Sequence, residues 1–374
     1  MQKETELNHL YSNGITGKRI IILGPCPPPI GGVSIHVRRV GQKLRGQKNK
    51  VVFFDPLGAH RGRFWFYKLK LALTLFSFRP HQVHYHTLYA SNCLPELYLI
   101  NFLKKLLRFD LLFVEHISRY LCTRDVSFKK KLGQLLSKNR IVFIGEVTRQ
   151  SYFEHNIQIP EQFSVESAFL PPDESREEEI LSTYPASLFE FIKSSKPLIV
   201  ANASKLLLLG GKDLYGFDTS VELLSRLKEK YPEAKLLLAL ARFGDEEYFS
   251  ILKKHVDFLG LGDSVYFLTG DKELWPLLKK ADLFIRPTIS DSFGISISEA
   301  LWFGTPSVAS DVCVRSEGTV LFRAGDREDF FKKAFGILAG KHSIDSAFVQ
   351  NFRQSFFVNE DYKKTYSKNK QHTR

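Results

Sequence analysis

The chain has 374 residues, of which 44% are hydrophobic and 25% are charged, and its formal net charge is +13. This composition is typical of a soluble globular protein and excludes the disordered and fibrous classes. The length suits two domains of roughly 150 to 200 residues. Residues 1–18 are polar, and no uninterrupted apolar run of about 18 residues occurs anywhere, so we expect no secretory signal and no membrane span. These features predict a cytoplasmic protein.

The cysteines are few and widely separated. They are Cys26, Cys93, Cys122 and Cys313, and none of them forms a CxxC pair. A disulfide framework or a structural zinc site needs closer or paired spacing. We therefore expect reduced thiols and no zinc.

The positive charge indicates an anionic partner, which is nucleic acid, a membrane surface or a small ligand. No nucleic-acid-binding motif accompanies the charge, so we expect no nucleic acid. The segment Arg61–Arg79 interleaves basic residues with large apolar ones and predicts a helix lying in the headgroup layer of an anionic membrane. A core helix with a solvated basic edge is the alternative for this segment. Peripheral attachment to the inner face of the membrane is the first of these interpretations.

The first half of the chain alternates short apolar runs with helical segments, as in a doubly wound domain. The predicted strands are Ile20–Leu23, Val51–Phe54, Val83–His86, Leu111–Val114 and Ile141–Ile144. The first of them is followed by a proline-rich loop with Gly31 and Gly32. These glycines let a ligand approach the backbone where a helix beginning near Val33 exposes its free N–H groups.

His116 is the main candidate site residue of this half. It follows the strand Leu111–Val114 at the carboxyl end, where open α/β sheets place functional side chains. A buried structural histidine is the alternative. His81, His84 and His86 lie on or beside the predicted strand Val83–His86, where successive side chains point to opposite faces, and no acidic or cysteine ligand lies close by. We therefore do not expect them to hold a metal.

The second half begins with an acidic, proline-containing loop at 169–179 and a helix at 186–193, and we place the domain boundary between Lys193 and Ser194. Five apolar runs separated by helical segments then predict a second doubly wound domain. These runs are Leu198–Val200, Leu236–Ala239, Val265–Leu268, Leu283–Ile285 and Ser307–Ala309. The end of the chain, Lys363–Arg374, is predicted to be a basic, poorly ordered tail.

The stretch from Ala281 to Gly318 shows the clearest chemistry. A strand ends at Pro287, a glycine-containing loop follows, and a helix is predicted over Ser296–Phe303. Ser296 and Glu299 have the spacing of a capping box at the start of that helix. A loop and a helix N-terminus present N–H groups and a positive dipole end to phosphate, so a nucleoside diphosphate is the first ligand to consider.

This stretch resembles the retaining GT-B glycosyltransferases that use nucleotide sugars (glycosyltransferase family 4, "glycosyl transferases group 1"). The signature of that family is matched at Asp291, Phe293, Gly294, Glu299, Ala300, Gly304 and Pro306. The chain departs from the family at Asp291, where most members have the longer glutamate. The resemblance implies two Rossmann-like domains facing a cleft. Residues 1–193 would bind the acceptor, residues 194–345 the nucleotide sugar, and the helix in 346–374 would cross back to the first domain.

The resemblance also implies roles for particular residues. Asp291 and His116 would contact the transferred sugar, and Glu299 would bind the ribose. The donor diphosphate would lie against the backbone of Gly294, Ile295 and Ser296. Its cations would come from Lys205, Lys212 and Arg286, because Tyr215-Gly216 stands where the family has Lys-Gly. Gly31 and Gly32 would form the acceptor loop.

The activity implied is transfer of a sugar from a nucleoside diphosphate sugar, with UDP favoured, to a lipid-linked or oligosaccharide acceptor in surface polysaccharide synthesis. Retention at the anomeric carbon and the absence of a metal or other cofactor are implied in the same way. A GT-B sugar-nucleotide epimerase or phosphorylase is one alternative. A non-enzymatic protein that binds membranes or polyanions is the other.

Overall fold

The computed structural model describes residues 15–28, 30–55, 64–88, 93–121, 123–342 and 344–356. Their contacts divide them into two compact units. The first contains residues up to 28 and residues 33–170, and the second contains residues 30–32 and the chain from Pro171 onward. Each unit has its own parallel six-stranded sheet.

The sheet of the first unit has the strand order β2-β1-β3-β4-β5-β6, with every neighbouring pair parallel. Its strands are β1 (Arg19–Leu23), β2 (Lys50–Phe54), β3 (Gln82–Tyr85), β4 (Asp110–Glu115), β5 (Arg140–Ile144) and β6 (Gln162–Glu166). Residues Ile20 to Leu23 of β1 are fully buried, as expected for a central strand covered on both faces. Five of these strands were predicted from apolar runs. The sixth, β6, is less apolar and only partly buried, and the sequence analysis missed it.

Helices connect these strands in the order required for parallel pairing. They are α1 (Gly32–Gly46), α2 (Phe64–Phe78), α3 (Leu94–Leu107), α4 (Val126–Leu136) and α5 (Glu146–Glu154), with a short 3₁₀ helix at Ser118–Leu121. Asp125 caps α4 by accepting a hydrogen bond from the Phe128 N–H. The apolar sides of α2, α3 and α4 pack on one core with the sheet. Carboxyl ends of adjacent strands therefore emerge together at one edge.

The sheet of the second unit has the strand order β11-β10-β7-β12-β13-β14, again parallel throughout. Its strands are β7 (Leu198–Leu206), β10 (Lys235–Gly244), β11 (Val265–Thr269), β12 (Leu283–Arg286), β13 (Ser307–Ser310) and β14 (Val320–Phe322). Two further short strands, β8 (Leu208–Leu209) and β9 (Lys212–Asp213), form a small antiparallel hairpin. This hairpin and β14 were not predicted, because strands of two or three residues are too short to show a pattern in the sequence.

Eight helices surround this second sheet in the described residues. They are α6 (Glu177–Leu181), α7 (Ala186–Lys193), α8 (Phe217–Lys228), α9 (Glu246–Phe258), α10 (Trp275–Leu278), α11 (Ile295–Trp302), α12 (Arg327–Leu338) and α13 (Ser346–Ser355). Part of the acidic segment expected to be loop is therefore α6, which is preceded by a 3₁₀ turn at Glu174–Arg176. Three consecutive glutamates in its first turn favour the helix through the helix dipole.

Contacts place the division between the units after Leu170, which is earlier than the predicted boundary at Lys193 and Ser194. The reason is packing: Ile180 and Leu188 are buried in a core of the second unit together with Trp275. Burial of these side chains binds α6 and α7 to the second unit, although no strand of its sheet lies so early in the chain.

The last described helix, α13, packs within the second unit. Phe348 and Phe352 lie against the same core as Trp275, and the Arg353 side chain donates to the Trp302 carbonyl. Residues 357–374, which include the predicted basic tail, lie outside the described residues. The predicted crossing of this segment to the first domain stays a prediction.

The sequence and structure agree on the fold class. Two parallel doubly wound sheets with covering helices are the α/β architecture predicted from the alternation of apolar runs and helical segments. Across the described parts of the chain, every helix is too short or too polar to pass through a bilayer.

Candidate active site

The loop between β12 and α11 turns on a glycine. Gly294 has φ of 85° and ψ of 65°, a left-handed conformation that residues with a Cβ rarely adopt. A Cβ at this position would lie 2.8 Å from Nη1 of Arg315. The helix begins at the next residue, Ile295, so the N–H groups of its first turn open directly from the turn.

The predicted capping box at Ser296 and Glu299 is wrong. The residue before the helix is Gly294, without a side-chain cap, and Ser296 is already inside the first turn. The sequence rule fails here because a left-handed glycine starts the helix without a cap. With no capping side chain present, the first-turn amides of Ile295 and Ser296 are left for an external acceptor.

Asp291 lies between two arginines. Its Oδ2 accepts a hydrogen bond from Nε of Arg286 at 2.6 Å and another from Nη1 of Arg315 at 2.7 Å. Burial alone would raise the pKa of Asp291, but the two guanidinium groups hold it well below its ordinary value. The carboxylate is therefore ionised at neutral pH.

Arg315 organises this loop, and the sequence analysis did not single it out. Its side chain is 1% exposed. Besides Asp291, it donates to the carbonyl oxygens of Phe293 at 3.1 Å and Ser310 at 3.1 Å. Its position 24 residues after Asp291 gives no local pattern, so only the packing of the loop on the end of β13 reveals it.

Arg286, the last residue of β12, is the predicted cation that the structure places beside Asp291. Its Nη1 donates to Oδ1 of Asn202 on the adjacent strand β7 at 3.2 Å, and its guanidinium lies 5.6 Å from the ring centre of Tyr215. Tyr215 stands where the resembled family has lysine. Arg286 is therefore a fixed cation next to Tyr215, the aromatic residue at the position of the family's lysine.

Lys205 and Lys212, the other predicted cations, lie on regular structure. The strand β7 continues to Leu206, beyond the predicted end at Val200, so Lys205 is a strand residue in register with Arg242 of β10. Lys212 belongs to β9 of the small hairpin. Both side chains are exposed. No contact joins either of them to Asp291 within the described residues, so their donor role stays a prediction.

Asp213 fixes the loop that carries Tyr215. Its carboxylate accepts hydrogen bonds from the backbone N–H of Tyr215 at 2.8 Å and of Phe217 at 2.9 Å, and from the Tyr248 hydroxyl at 3.0 Å. Burial raises the pKa of Asp213. The following Gly216 is also left-handed, and a Cβ there would lie 2.5 Å from the Pro287 carbonyl oxygen. This loop and the loop after β12 are therefore packed closely together.

Glu299 lies in the second turn of α11 and is buried. Its charge contributes, after burial and Glu273, to a raised pKa of Tyr184. The residues on either side of it, Ser298 and Ala300, are fully buried. Glu299 thus lies on a helix that is buried on most of its sides. A buried acidic side chain needs hydrogen-bond or ion-pair partners to stay charged.

The first unit has a site of different chemistry. His86 and His116 directly follow the adjacent strands β3 and β4, and Nδ1 of His86 lies 3.0 Å from Nε2 of His116. His36, in the second turn of α1, joins them with its ring centre 4.9 Å from that of His116. We call these three residues the histidine cluster. The predicted candidate His116 is in it, whereas His84 lies apart on the strand and bonds Gln82.

The histidine cluster is neutral. All three side chains are buried. Burial lowers the pKa of His36 to about 4 and lowers the pKa values of His86 and His116 well below the ordinary value. His36 is oriented by its Nδ1, which lies 2.8 Å from the Ala168 carbonyl oxygen and donates to it. A neutral imidazole can donate or accept a hydrogen bond without a charge, as contact with a sugar hydroxyl requires.

Glu115 supports this end of β4 and was not predicted. Its carboxylate accepts from the Tyr152 hydroxyl at 2.6 Å and from the Ile117 N–H at 3.0 Å. Burial raises the pKa of Glu115. These bonds fix the turn that carries His116.

Gly31 and Gly32, the predicted acceptor loop, lie at the start of α1, which begins at Gly32. The predicted helix start near Val33 is therefore correct to within one residue. Their contacts group them with the second unit, although the rest of α1 belongs to the first.

Metal binding was not predicted for this chain. In the described residues, the histidine cluster is a group whose ligand atoms all lie within 4.8 Å of one another. Neutral imidazoles are ligands for ions such as Zn²⁺. No zinc-type pair of cysteines or carboxylate joins the cluster among those residues. The expectation that the reaction needs no metal stays a prediction.

Comparison with known proteins identifies the second unit. Residues 192–320 match the family model described as "Glycosyl transferases group 1". The chain is 37% identical over 101 residues to mannosylfructose-phosphate synthase of Agrobacterium fabrum, which is 25% of this chain and 22% of that protein. It is 23% identical over 189 residues to the lipopolysaccharide glucosyltransferase WaaG of Escherichia coli, 50% of this chain and 48% of that protein. The matches thus span less than half the length of either curated relative.

Solved structures share the whole fold. The Anabaena protein Alr3699/HepE in complex with UDP superposes with a TM-score of 0.66, at 15% identity, over 94% of this chain and 100% of that one. A glycosyltransferase from Rickettsia africae gives 0.66 at 15% identity, over 94% and 97% of the two chains. Sucrose-phosphate synthase from Thermosynechococcus elongatus gives 0.64 at 16% identity, over 91% and 95%.

The fold is therefore that of the GT-B glycosyltransferases. The second unit, which holds Asp291, Gly294 and Glu299, is a group 1 glycosyltransferase domain. The residues of the signature, from Asp291 to Pro306, all lie within the part of the chain that matches this family model.

Proposed function

We propose that the chain transfers a sugar from a nucleoside diphosphate sugar, with UDP as the favoured nucleotide, to a lipid-linked or oligosaccharide acceptor. The single observation that carries this proposal is the loop at 286–295. There Gly294 opens the first turn of α11 to a ligand, directly beside an ionised carboxylate held by two arginines. UDP is favoured because solved neighbours were crystallised with UDP and UDP-glucose.

The amides at the start of α11 and the side chain of Arg286 have separate roles in binding the donor. The amides of Ile295 and Ser296 and the positive end of the helix dipole bind the phosphate nearest the leaving bond. Arg286 adds a fixed positive charge beside them. Charge that develops on the departing diphosphate is stabilised by these groups, and such preorganised electrostatic stabilisation is usually the largest catalytic contribution.

Asp291 acts as a hydrogen-bond acceptor for the donor sugar. Its low pKa keeps it ionised, and its two arginine partners fix its direction. A carboxylate so strongly stabilised is a poor proton acceptor, which argues against a general-base role. Glu299 binds the ribose hydroxyls, and His116 contacts the transferred sugar as a neutral imidazole.

Three finer features belong to the proposal. The reaction retains configuration at the anomeric carbon, with the acceptor hydroxyl assisted by the departing diphosphate oxygen. It proceeds without a metal or another cofactor. The product belongs to a surface polysaccharide or glycolipid, and the protein works in the cytoplasm at an anionic membrane surface, which its net charge of +13 favours.

A thermal-shift experiment with UDP, GDP and ADP tests the donor site. At about 100 times the dissociation constant, a ligand that binds only the folded state adds about 2.7 kcal/mol, which raises the melting temperature by roughly 5 °C or more. We expect a shift with UDP. Glu299→Gln should abolish the shift, because it replaces one of the two acceptor oxygens with an NH₂ donor and keeps the shape of the side chain.

Glu247→Gln is the matched control, since Glu247 is an exposed glutamate on α9. It should keep the wild-type shift. No shift with any nucleotide would overturn the proposal and favour a non-enzymatic binding protein. A screen of sugar donors, with release of nucleotide measured with and without membrane extract, then tests transfer: release that does not depend on extract would indicate a hydrolysing epimerase.

A further inference from the structure

Two helices of the first unit carry large apolar side chains that the described residues leave exposed. On α2, the exposed residues Phe66, Leu69, Leu73 and Phe76 are spaced three, four and three apart and therefore share one face. On α3, the exposed residues Tyr98, Phe102 and Leu106 are each four apart. We call these seven side chains the α2–α3 face.

The two helices are neighbours, so their exposed sides form one surface. The connections from β2 to β3 and from β3 to β4 run in the same direction across the sheet, which places α2 and α3 on the same side of it. Leu75 of α2 and Leu97 of α3 are fully buried in one core. The two helices are also in direct contact with each other.

This arrangement explains why α2 is apolar all round. Its inner side, with Tyr67, Leu71 and Leu75, packs on the core, while its outer side is also apolar although it faces outward. The alternative interpretation of this segment, a core helix, is therefore confirmed, and the membrane interpretation stays a prediction that concerns only the side chains on the outer side of α2. Phe66 and Phe102 are each 64% exposed. Single exposed apolar residues are common, whereas a group of them on neighbouring helices is typical of a binding surface.

Charge around the face is positive. Lys70 and Lys105 are exposed within or beside it. Arg79 and Arg108 are exposed just past the ends of the two helices, and they lie at the same end because Gln82 and Asp110, at the starts of the following strands, are in register. The acidic residue of the two helices is Glu96, which is half-buried and has a raised pKa because of burial.

We propose that the α2–α3 face docks on an anionic lipid bilayer, with both helices lying in the plane of the headgroups. Aromatic and aliphatic side chains enter the boundary of the acyl chains, and the flanking lysines and arginines bind lipid phosphates. A helix of 15 residues is about 22 Å long, too short to span the hydrocarbon layer, so it lies flat. The lysines favour lipid over a protein partner, because lysine is depleted from protein interfaces.

This inference deepens the membrane part of the proposed function and does not depend on sugar transfer. It predicts that the acceptor is reached at a membrane, where a lipid-linked substrate resides. Its test measures lipid binding alone, so its failure is separate from failure of the nucleotide site.

Flotation with vesicles tests the proposal. The full chain should float with vesicles of phosphatidylcholine and phosphatidylglycerol and stay at the bottom with phosphatidylcholine alone. Leu73→Ser and Phe102→Ser should each weaken partitioning about tenfold, since each removes one large apolar side chain from the lipid. Lys70→Gln and Lys105→Gln should each weaken it about fivefold and only with the anionic vesicles.

The control variant is Phe258→Ser. Phe258 is 85% exposed at the end of α9 in the second unit, and its loss should leave flotation unchanged. Because all five positions are exposed, the variants should keep the wild-type melting temperature and the wild-type shift with UDP.

Three results would overturn the proposal. The first is no flotation of the wild type with anionic vesicles. The second is unchanged flotation of Leu73→Ser and Phe102→Ser. The third is a wild-type dimer in light scattering that these substitutions convert to a monomer, which would show that the face is occupied by a second copy.

Discussion

Each unit buries a cluster of titratable side chains at the end of its sheet, but one cluster is charged and the other is neutral. In the second unit, Asp291 is a buried charge kept ionised by Arg286 and Arg315. In the first unit, the histidine cluster is buried and kept neutral, with no charged partner bonded to His86 or His116 among the described residues. Both lie just after parallel strands, where the sheet delivers side chains to one edge.

The difference shows which chemistry each cluster offers. Fixed positive groups and free amides are suited to an anionic group such as a diphosphate. Neutral imidazoles are suited to an uncharged hydrogen-bonding group, because they bring no charge into a buried place. The same strand-end geometry thus offers two kinds of chemistry, and the charge of the neighbouring residues decides which.

The largest effect should come from breaking the charged cluster. Arg315→Met removes one partner of Asp291 and leaves the Phe293 and Ser310 carbonyls without their donor. Removing one member of a buried ion pair costs about 3 to 5 kcal/mol. Urea unfolding should show this loss in the free energy of unfolding.

Arg323→Met is the control for that measurement. Arg323 pairs with Asp326 at the surface and is 77% exposed, so its loss should cost less than about 1 kcal/mol. Equal losses for the two variants would show that Arg315 is no more important than a surface arginine.

A second prediction concerns pH and the histidine cluster. The folded pKa of His36 is about 4, below the ordinary 6.5 of an unfolded histidine. Between these values the unfolded chain binds a proton that the folded chain does not, so stability is full above about pH 6.5 and falls as pH falls. The loss from His36 amounts to about 3 kcal/mol at pH 4, and His86 and His116 act in the same direction.

Urea unfolding from pH 7 to pH 4 measures this slope. His36→Gln, which keeps a donor for the Ala168 carbonyl, should reduce the slope by about 1.4 kcal/mol per pH unit. His342→Gln, at an exposed position of the second unit, should keep the wild-type slope. An unchanged slope for His36→Gln would contradict the neutral cluster. Asp291 also lowers the free energy of unfolding as pH falls, because its folded pKa lies below its ordinary value. That loss occurs only below the pH range in which a carboxyl group ordinarily titrates.

The third prediction compares two left-handed glycines. Gly294→Ala introduces a Cβ at φ of 85°, 2.8 Å from Arg315, and should cost about 2 kcal/mol. Gly325→Ala has nearly the same φ, 83°, with nothing within 4 Å of the new Cβ, and should cost about 1 kcal/mol. Thermal melting measures both.

The two glycine variants also separate strain from function. Gly294→Ala should reduce the shift with UDP by at least half, because Arg315 must move away from Asp291. Gly325→Ala should leave that shift intact. Loss of the shift in both would mean that general destabilisation, and not the loop, governs binding.

Much of the fold followed from local patterns. The runs Ile20–Leu23 and Leu283–Ile285 are apolar because both faces of a central parallel strand are covered, and the structure has strands at both places. The position of His116 directly after a strand was predicted correctly, because the end of that apolar run is visible in the sequence. The family signature from Asp291 to Pro306 is equally local.

Other features were set by residues far apart in the chain. The histidine cluster needs His36, His86 and His116, and no spacing rule links a helix residue to the ends of two strands. Arg315 reaches Asp291 only because the loop after β13 packs on the loop after β12. The N-cap of α11 was predicted at Ser296, two residues too late. The N-cap is Gly294, whose left-handed conformation starts the helix without a capping side chain.

The sequence by itself determined the alternation of strands and helices, the group 1 glycosyltransferase signature of the second unit and the positions of its acids, since each depends on residues within about twenty places of one another. The tertiary structure alone decided which charges meet, which histidines stay neutral and which apolar side of α2 is left outside. Those outcomes depend on burial and on the distance between charges, and both are properties of the packed chain.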